Sequence, residues 1–189
     1  MEYEFVKVEK KNHISIVTIN RPEVYNAVHP PLSLELDQVW NDFIEDRDQW
    51  VAVLTGAGDK AFSAGNDLKY SAQPGKYKVQ QPKSGFAGLT NRFDRTKPII
   101  AAVNGFAMGG GMETALSCDI IMASENAKFA LPEVKVGFFA AAGGVQRLSR
   151  QIGKKAALEM ILTGRSVDAL EAQKLGIINE VFSQAELLD

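Results

Sequence analysis

AAVNGFAMGGGME, residues 101–113, is the stretch that decides the fold. Its first residues predict a strand buried on both faces, and Glu113 lies at the start of a helix that follows a triple glycine. Glycines let another backbone or a ligand come close. The free N–H groups at a helix start carry partial positive charge and stabilise an oxyanion placed there. The alternative is a tight strand-to-helix turn in which Glu113 only complements the helix dipole.

Two further stretches add polar groups to this pattern. Residues 62–68, FSAGNDL, form a second bend with small residues and free backbone amides, and residues 131–133, LPE, fix an acidic residue beside a proline. Each also fits an ordinary structure, namely a helical turn capped by Asn66 or Asp67 and a solvent-facing turn at Glu133. Together they supply amide donors and two carboxylates, which is the set needed to add water across a double bond conjugated to a thioester.

The rest of the chain predicts alternating strands and helices. The predicted strands are 5–8 and 14–19 (a hairpin), 50–55, 99–103, 120–123, 128–130 and 177–182, and the predicted helices span 32–43, 86–93, 112–117, 152–162 and a capped segment from Asp168 to Gly176. This order indicates layers of an α/β fold. Residues 56–84 lack a long apolar period and predict a long loop, which is a candidate functional segment.

Composition excludes several classes of protein. The 189 residues carry a net charge of −2, and 46% are hydrophobic, which argues against disorder and gives no electrostatic footprint for nucleic acid or an anionic membrane. A single cysteine, Cys118, excludes an internal disulfide and a multi-cysteine zinc site. No apolar stretch is long enough to span a bilayer, and the first residues show no targeting pattern. We expect an intracellular, cytoplasmic protein, with mitochondrial and peroxisomal locations left open.

Several familiar motifs fail on inspection. Gly56-x-Gly58-x-x-Ala61 mimics a dinucleotide fingerprint but no helix opens directly after it, and neither a P-loop nor a G-x-S-x-G motif occurs. The only histidines, His13 and His29, fall in a predicted turn and a predicted loop, and no metal-ligand spacing is present. A dinucleotide, triad or metal site is therefore not predicted.

On these residues the chain resembles the enoyl-CoA hydratase/isomerase (crotonase) superfamily. The matching stretches are residues 21–27, 61–69, 97–119, 127–133, 143–148, 162–165 and 172–181, in the family's order and over nearly the whole chain. The sequences of residues 84–89 and 129–133 are similar to those of the carnitinyl-CoA dehydratase-like branch of this superfamily. The resemblance implies an α/β spiral of ββα units, and coenzyme A as part of the substrate with no separate cofactor or metal.

The resemblance also implies roles for individual residues. Glu113 would activate a water molecule and Glu133 would exchange the proton at Cα, giving syn addition to a trans-2-enoyl-CoA or the reverse dehydration. The backbone N–H groups of Asn66 and Gly110 would form the oxyanion hole, and that of Ala141 would help to hold the water. The positions implied for the acyl-CoA are Val24, Lys60, Ala64, Asn66, Asp67, Leu68, Lys69, Gly109 and Gly110. Lone loop lysines such as Lys60 and Lys69 are more often simply solvated.

Three departures from the family pattern stand out. Ala141 replaces a glycine, Asn66 stands where alanine is usual, and family chains continue past Asp189 with a helical region that closes the acyl-CoA site and supports trimer packing. We therefore divide the chain into a spiral core, 1–165, and the start of a C-terminal region, 166–189. We expect these 189 residues to be weakly active or inactive, and family members of full length to form a homotrimer or a dimer of trimers.

Two alternatives to a hydratase remain open at this point. An enoyl-CoA isomerase would use one glutamate to move a proton between carbons. A non-catalytic member would bind acyl-CoA or a partner chain without turnover.

Overall fold

A computed structural model describes residues 3–75 and 81–189. The long loop predicted at 56–84 includes residues 76–80, which lie outside the described residues. The strands are β1 (Val6–Lys11), β2 (Ile14–Ile19), β3 (Val51–Gly56), β4 (Ala61–Ser63), β5 (Ile99–Val103), β6 (Phe106–Met108), β7 (Ile120–Ser124), β8 (Lys128–Ala130), β9 (Ser166–Asp168) and β10 (Glu180–Phe182). The helices are α1 (Pro30–Glu45), α2 (Leu68–Ser71), α3 (Gly110–Leu116), α4 (Gly144–Gln151), α5 (Lys154–Thr163) and α6 (Ala169–Leu175).

The strands form two sheets. The larger sheet has the order β1-β2-β3-β5-β7-β10, and the smaller has the order β4-β6-β8-β9. All pairs are parallel except the β1–β2 hairpin and the β8–β9 pair. Each of β3, β5 and β7 is followed by a short strand in the smaller sheet, so the chain alternates between the sheets as it winds. The predicted α/β spiral with ββα units is confirmed.

The segment 166–182 belongs to both sheets. β9 pairs with β8 in the smaller sheet, and β10 pairs with β7 at the edge of the larger one. Asp168 is the N-cap of the helix between them, and its side chain accepts a hydrogen bond from the Glu171 N–H at 2.8 Å. The predicted cap is thus confirmed, and the division at residue 165 stays a prediction.

The core fills the space between the sheets and the helices. Large side chains with almost no exposed surface include Trp40, Phe62, Phe129, Leu32, Leu36, Leu54 and Met112. α1 contributes a full stripe to this core, as its apolar spacing predicts. β5, in the middle of the larger sheet, is buried along almost its whole length, which is expected of a parallel strand covered on both faces. β5 leads directly into β6 and α3, so the triple glycine starts from the rigid centre of the fold.

One helix prediction is wrong, and one helix was missed. The helix predicted at 86–93 is a single 3-10 turn, Phe86–Gly88, because Ala87 adopts a left-handed φ of 54°. The apolar spacing there reflects contact with α1, and the Trp40 indole donates a hydrogen bond to the Ala87 carbonyl at 3.1 Å. The helix predicted at 152–162 is confirmed as α5, which begins two residues later at Lys154, whereas the preceding helix α4 was not predicted.

Candidate active site

The turn from β6 into α3 has almost no spare volume. A side chain at Gly111 would meet the Ser63 carbonyl oxygen at 2.1 Å, and one at Gly110 would meet the Phe86 ring at 2.6 Å. Only glycine allows the two sheets and the loop at 86 to approach this closely. The triple glycine is therefore needed for packing, and it leaves the N–H of Gly110, the first residue of α3, without an intrahelical partner.

The Asn66 amide lies next to this turn. Val28 donates to the Gly65 carbonyl at 2.7 Å and accepts from the Asp67 N–H at 3.0 Å. Because the peptide between Gly65 and Asn66 is trans, a carbonyl that points toward Val28 turns the Asn66 N–H away from it. A side chain at Gly65 would lie 2.8 Å from the Gly110 nitrogen, so the 65–66 peptide borders the Gly110 turn. The two amides predicted for the oxyanion hole are thus neighbours.

Glu113 is fixed in the first turn of α3. The residue is only 3% exposed, its N–H donates to the Gly109 carbonyl at 2.9 Å, and its Oε1 accepts from the Gly144 N–H at 2.8 Å. Its carboxylate therefore lies at the start of α4, where the helix dipole favours negative charge.

Burial is the main cause of an unusual titration at Glu113. It raises the pKa of the carboxyl from 4.5 to about 7, against the lowering effect of the Gly144 amide. The charge of Glu133 raises this pKa further, whereas the Ala142 amide and the Arg147 charge lower it. A group with this pKa can take up or release a proton near neutral pH, as general acid–base catalysis requires.

Glu133 lies on the 3-10 turn Pro132–Val136 that follows β8. One carboxylate oxygen lies 3.0 Å from the position that a side-chain carbon on Gly109 would occupy. The other, Oε2, is shielded from solvent and has no hydrogen-bond partner among the described residues. Burial raises the pKa of this carboxyl as well. The structure therefore brings Glu113 and Glu133 to the same glycine turn, within electrostatic range of each other.

Ala141, whose N–H is expected to help hold a water molecule, lies just before the backbone groups that act on Glu113. The backbone groups that act on Glu113 belong to Ala142 and Gly144, whereas Ala141 is exposed at the start of this segment. The structure gives the Ala141 N–H no contact with either glutamate. Its proposed contact with water stays a prediction.

The positions implied for acyl-CoA divide into exposed and buried groups. Lys60, Ala64, Leu68 and Lys69 are exposed, and Val24 is partly exposed, so these residues are accessible to a ligand. Asp67 is buried instead. It accepts from the Arg21 guanidinium at 2.9 Å and caps α2 through the Tyr70 N–H, also at 2.9 Å. Asp67 thus stabilises the loop that carries Asn66, and these bonds already occupy its carboxylate oxygens.

Phe86 and Gly144 are the residues near the site that the sequence argument missed. The Phe86 ring covers the Gly110 turn, and the Gly144 amide binds Glu113. The pair Gly143-Gly144 in the sequence could have signalled a second close approach. Nothing local to Phe86 signals its contact, because Gly110 lies far along the chain.

Other features of the described molecule lie away from this turn. A cavity of about 510 Å³ borders the C-terminal end of α3 and is lined by Arg95, Lys97, Cys118 and Arg147 among others, but not by the two glutamates. Across residues 3–75 and 81–189, no group of three or more His, Cys, Asp or Glu side chains could hold a metal ion. No helix of the described part has both the length and the apolar character of a membrane span.

Comparisons with known proteins extend the resemblance seen in the sequence. The sequence profile of the enoyl-CoA hydratase/isomerase family matches residues 9–189. Carnitinyl-CoA dehydratase from Escherichia coli K12 is 45% identical over 186 residues, which cover 98% of this chain and 71% of that enzyme.

Solved structures agree with this match. The carnitinyl-CoA dehydratase from Mycobacterium avium 104 superposes with a TM-score of 0.92 at 43% identity, over 98% of this chain and 72% of that one. The enoyl-CoA hydratase from Mycobacterium tuberculosis H37Rv gives 0.89 at 38% identity, over 98% and 71%. With the profile, the identities and the shared spiral in agreement, this chain belongs to the enoyl-CoA hydratase/isomerase family.

Proposed function

We propose that the chain is a hydro-lyase that adds water to a trans-2-enoyl-CoA or removes it from a 3-hydroxyacyl-CoA. The observation that carries this proposal is the meeting of two carboxyls with raised pKa, Glu113 and Glu133, at the glycine turn that also carries the Gly110 amide, which has no acceptor within its own helix. The names of the relatives, carnitinyl-CoA dehydratase and enoyl-CoA hydratase, support the same reaction class.

The thioester oxygen binds the two backbone amides in this mechanism. As water adds, the electron pair of the double bond moves toward the carbonyl and the oxygen becomes enolate-like. The N–H groups of Asn66 and Gly110 stabilise that charge. Because backbone amides are fixed before the reaction starts, they need no reorganisation as the charge develops.

The glutamates move the protons. Ionised Glu113 takes a proton from water, the hydroxyl oxygen bonds to Cβ, and protonated Glu133 gives a proton to Cα. The product is a 3-hydroxyacyl-CoA, and dehydration is the same path in reverse. A water molecule held by both carboxyls supplies the hydroxyl oxygen and gives its proton to Glu113, while the proton from Glu133 adds to the same face of the double bond, which gives syn addition. Proton exchange with solvent then restores ionised Glu113 and protonated Glu133.

A spectrophotometric assay tests this function directly. Hydration removes the conjugated double bond, so we expect the absorbance of crotonyl-CoA to fall in the presence of the protein. Glu113→Gln and Glu133→Gln should each slow this change by about 10² to 10⁴-fold, whereas Glu125→Gln, an exposed glutamate between them in sequence, should leave the rate unchanged. An unchanged rate in either site variant would refute the two-glutamate mechanism.

The similarity to carnitinyl-CoA dehydratases makes crotonobetainyl-CoA a second substrate to compare. A higher kcat/KM for crotonobetainyl-CoA than for crotonyl-CoA would place the chain in that branch. Isomerase activity that survives Glu113→Gln would favour the one-glutamate alternative. Acyl-CoA binding without any turnover would favour a non-catalytic member.

A further inference from the structure

Arg147 occupies a place that is unfavourable for a cation. It lies in the first turn of α4, where the helix dipole opposes positive charge, and its side chain is only partly exposed. Burial lowers the pKa of its guanidinium, because the charged group is partly removed from water and loses hydration free energy. Such a residue requires compensating contacts, and those contacts indicate what it does.

The guanidinium joins two separate segments of the chain. Its Nη2 donates to the Thr90 carbonyl at 2.7 Å, and its Nη1 donates to the Ala142 carbonyl at 3.3 Å. It also lies against Gly143, where any side-chain carbon would come within 2.0 Å of Nη1. One planar group with several fixed donors can hold both carbonyls at once, which an ammonium cannot do equally well.

Each of these segments supports one half of the site. Thr90 accepts from the Phe86 N–H through its hydroxyl at 2.9 Å, and the Phe86 ring covers Gly110 of the oxyanion turn. Ala142 precedes Gly144, whose N–H binds the Glu113 carboxylate. Arg147 therefore connects the loop whose Phe86 ring packs against Gly110 to the segment whose amide binds Glu113.

Arg147 and Glu113 also interact through their charges. The guanidinium lowers the pKa of Glu113, and the carboxylate raises that of Arg147. The other ionisable groups that act on this pair are Glu133 beside Glu113, and Arg95 and Cys118 beside Arg147. The charge of Arg147 thus favours the ionised form of Glu113 against the effect of burial.

We propose that Arg147 is a positioning residue, which aligns the Glu113 carboxylate with the oxyanion turn by holding the carbonyls of Ala142 and Thr90 together. The role of this alignment in catalysis rests on the proposed function. Arg147 has two separable effects, one from its forked geometry and one from its charge. Replacement by lysine keeps the positive charge but removes the planar guanidinium with its several donors, whereas replacement by glutamine removes both.

Steady-state kinetics of the whole chain over a range of pH separate these effects. For Arg147→Lys we expect kcat to fall by about 10-fold or more, with little change in KM and with the low-pH limb of kcat/KM unchanged. For Arg147→Gln we expect a similar loss of kcat and a shift of that limb upward by on the order of one pH unit. Arg150→Gln removes a charge from an exposed site on the same helix and should change neither quantity.

A titration independent of turnover completes the test. In a carbon-13 NMR titration, the carboxyl signal of Glu113 is assigned as the one that is absent from the spectrum of Glu113→Gln. In the unmodified chain this signal should report a pKa near 7. The pKa should be higher in Arg147→Gln and unchanged in Arg147→Lys and Arg150→Gln. The proposal would be overturned if the pKa of Glu113 were unchanged in folded Arg147→Gln. It would also be overturned if kcat of Arg147→Lys equalled that of Arg150→Gln. If no variant and no unmodified chain hydrates any enoyl-CoA while the titration shifts as expected, the hydratase function fails and the coupling of Arg147 to Glu113 stands.

Discussion

Glu113 and Glu133 reach the same glycine turn from surroundings of opposite character. Glu113 lies on a buried helix, and the first turn of α4 donates to its carboxylate. Glu133 lies on one 3-10 turn, beside exposed apolar side chains at Val134 and Val136, with one oxygen lacking a partner among the described residues.

The two carboxylates therefore differ in how freely they can reorient. A carboxylate held by backbone amides keeps one orientation, as a group that must align a water molecule requires. A carboxylate with a free, shielded oxygen can still turn toward a proton donor or acceptor on the substrate. The same contrast predicts that the fold is sensitive to changes around Glu113 and tolerant of changes around Glu133.

Activity is where the two glutamates should behave alike. Glu113→Gln and Glu133→Gln each remove a group that transfers a proton, and we expect each to lower kcat by about 10² to 10⁴-fold. Exchange of the Cα proton of a saturated acyl-CoA with solvent deuterium distinguishes them. That exchange should be lost in Glu133→Gln and should persist in Glu113→Gln, and the opposite result would reverse their roles.

The glycines near each glutamate provide the next contrast. Gly110→Val would press on the Phe86 ring and cover the oxyanion amide, so we expect kcat to fall by about 10² to 10³-fold. Gly137, at the end of the Glu133 turn, has a φ of 76° but open space around it. Gly137→Ala should therefore cost about 1 kcal/mol of stability through backbone strain, with activity nearly intact. Equal kinetic losses in the two variants would contradict this placement of the oxyanion hole.

Stability should depend on pH through Glu113 more than through Glu133. Between pH 4.5 and about 7 the folded chain binds a proton at Glu113 that the unfolded chain releases, so the free energy of unfolding falls as pH rises. Above that range the full cost of the buried charge is about 3 kcal/mol. Glu113→Gln should be more stable than the unmodified chain by about this amount at about pH 8, and equal to it at about pH 4.

Denaturant unfolding at several pH values measures this difference. Glu133→Gln is the comparison, because its carboxyl is less buried and its stabilising effect should be smaller. A Glu113→Gln variant that is less stable than the unmodified chain at high pH would show that the Glu113 carboxylate stabilises the fold. That result would contradict the prediction that its buried charge destabilises the fold.

Local patterns in the sequence were enough to find both glutamates, the glycine turn and most elements of the larger sheet. They failed where a structure depends on distant residues. β4, β6 and β9 have three residues each, too few for a period, and they exist because they pair with one another or with β8. The amide of Gly144 reaches Glu113 across 31 positions, and Arg147 reaches Thr90 across 57. No local spacing encodes such contacts.

The smallest expected effect lies on the Glu133 turn itself. Val136 is 60% exposed, so Val136→Ala should change the free energy of unfolding by less than about 0.5 kcal/mol. Met112→Ala, beside Glu113 on α3, should cost about 2 to 5 kcal/mol because that side chain is fully buried. Both are measured by denaturant unfolding at several protein concentrations. A loss above about 1 kcal/mol for Val136→Ala that grows with concentration would show that this turn packs against a second copy of the chain, in line with the oligomer expected from the family.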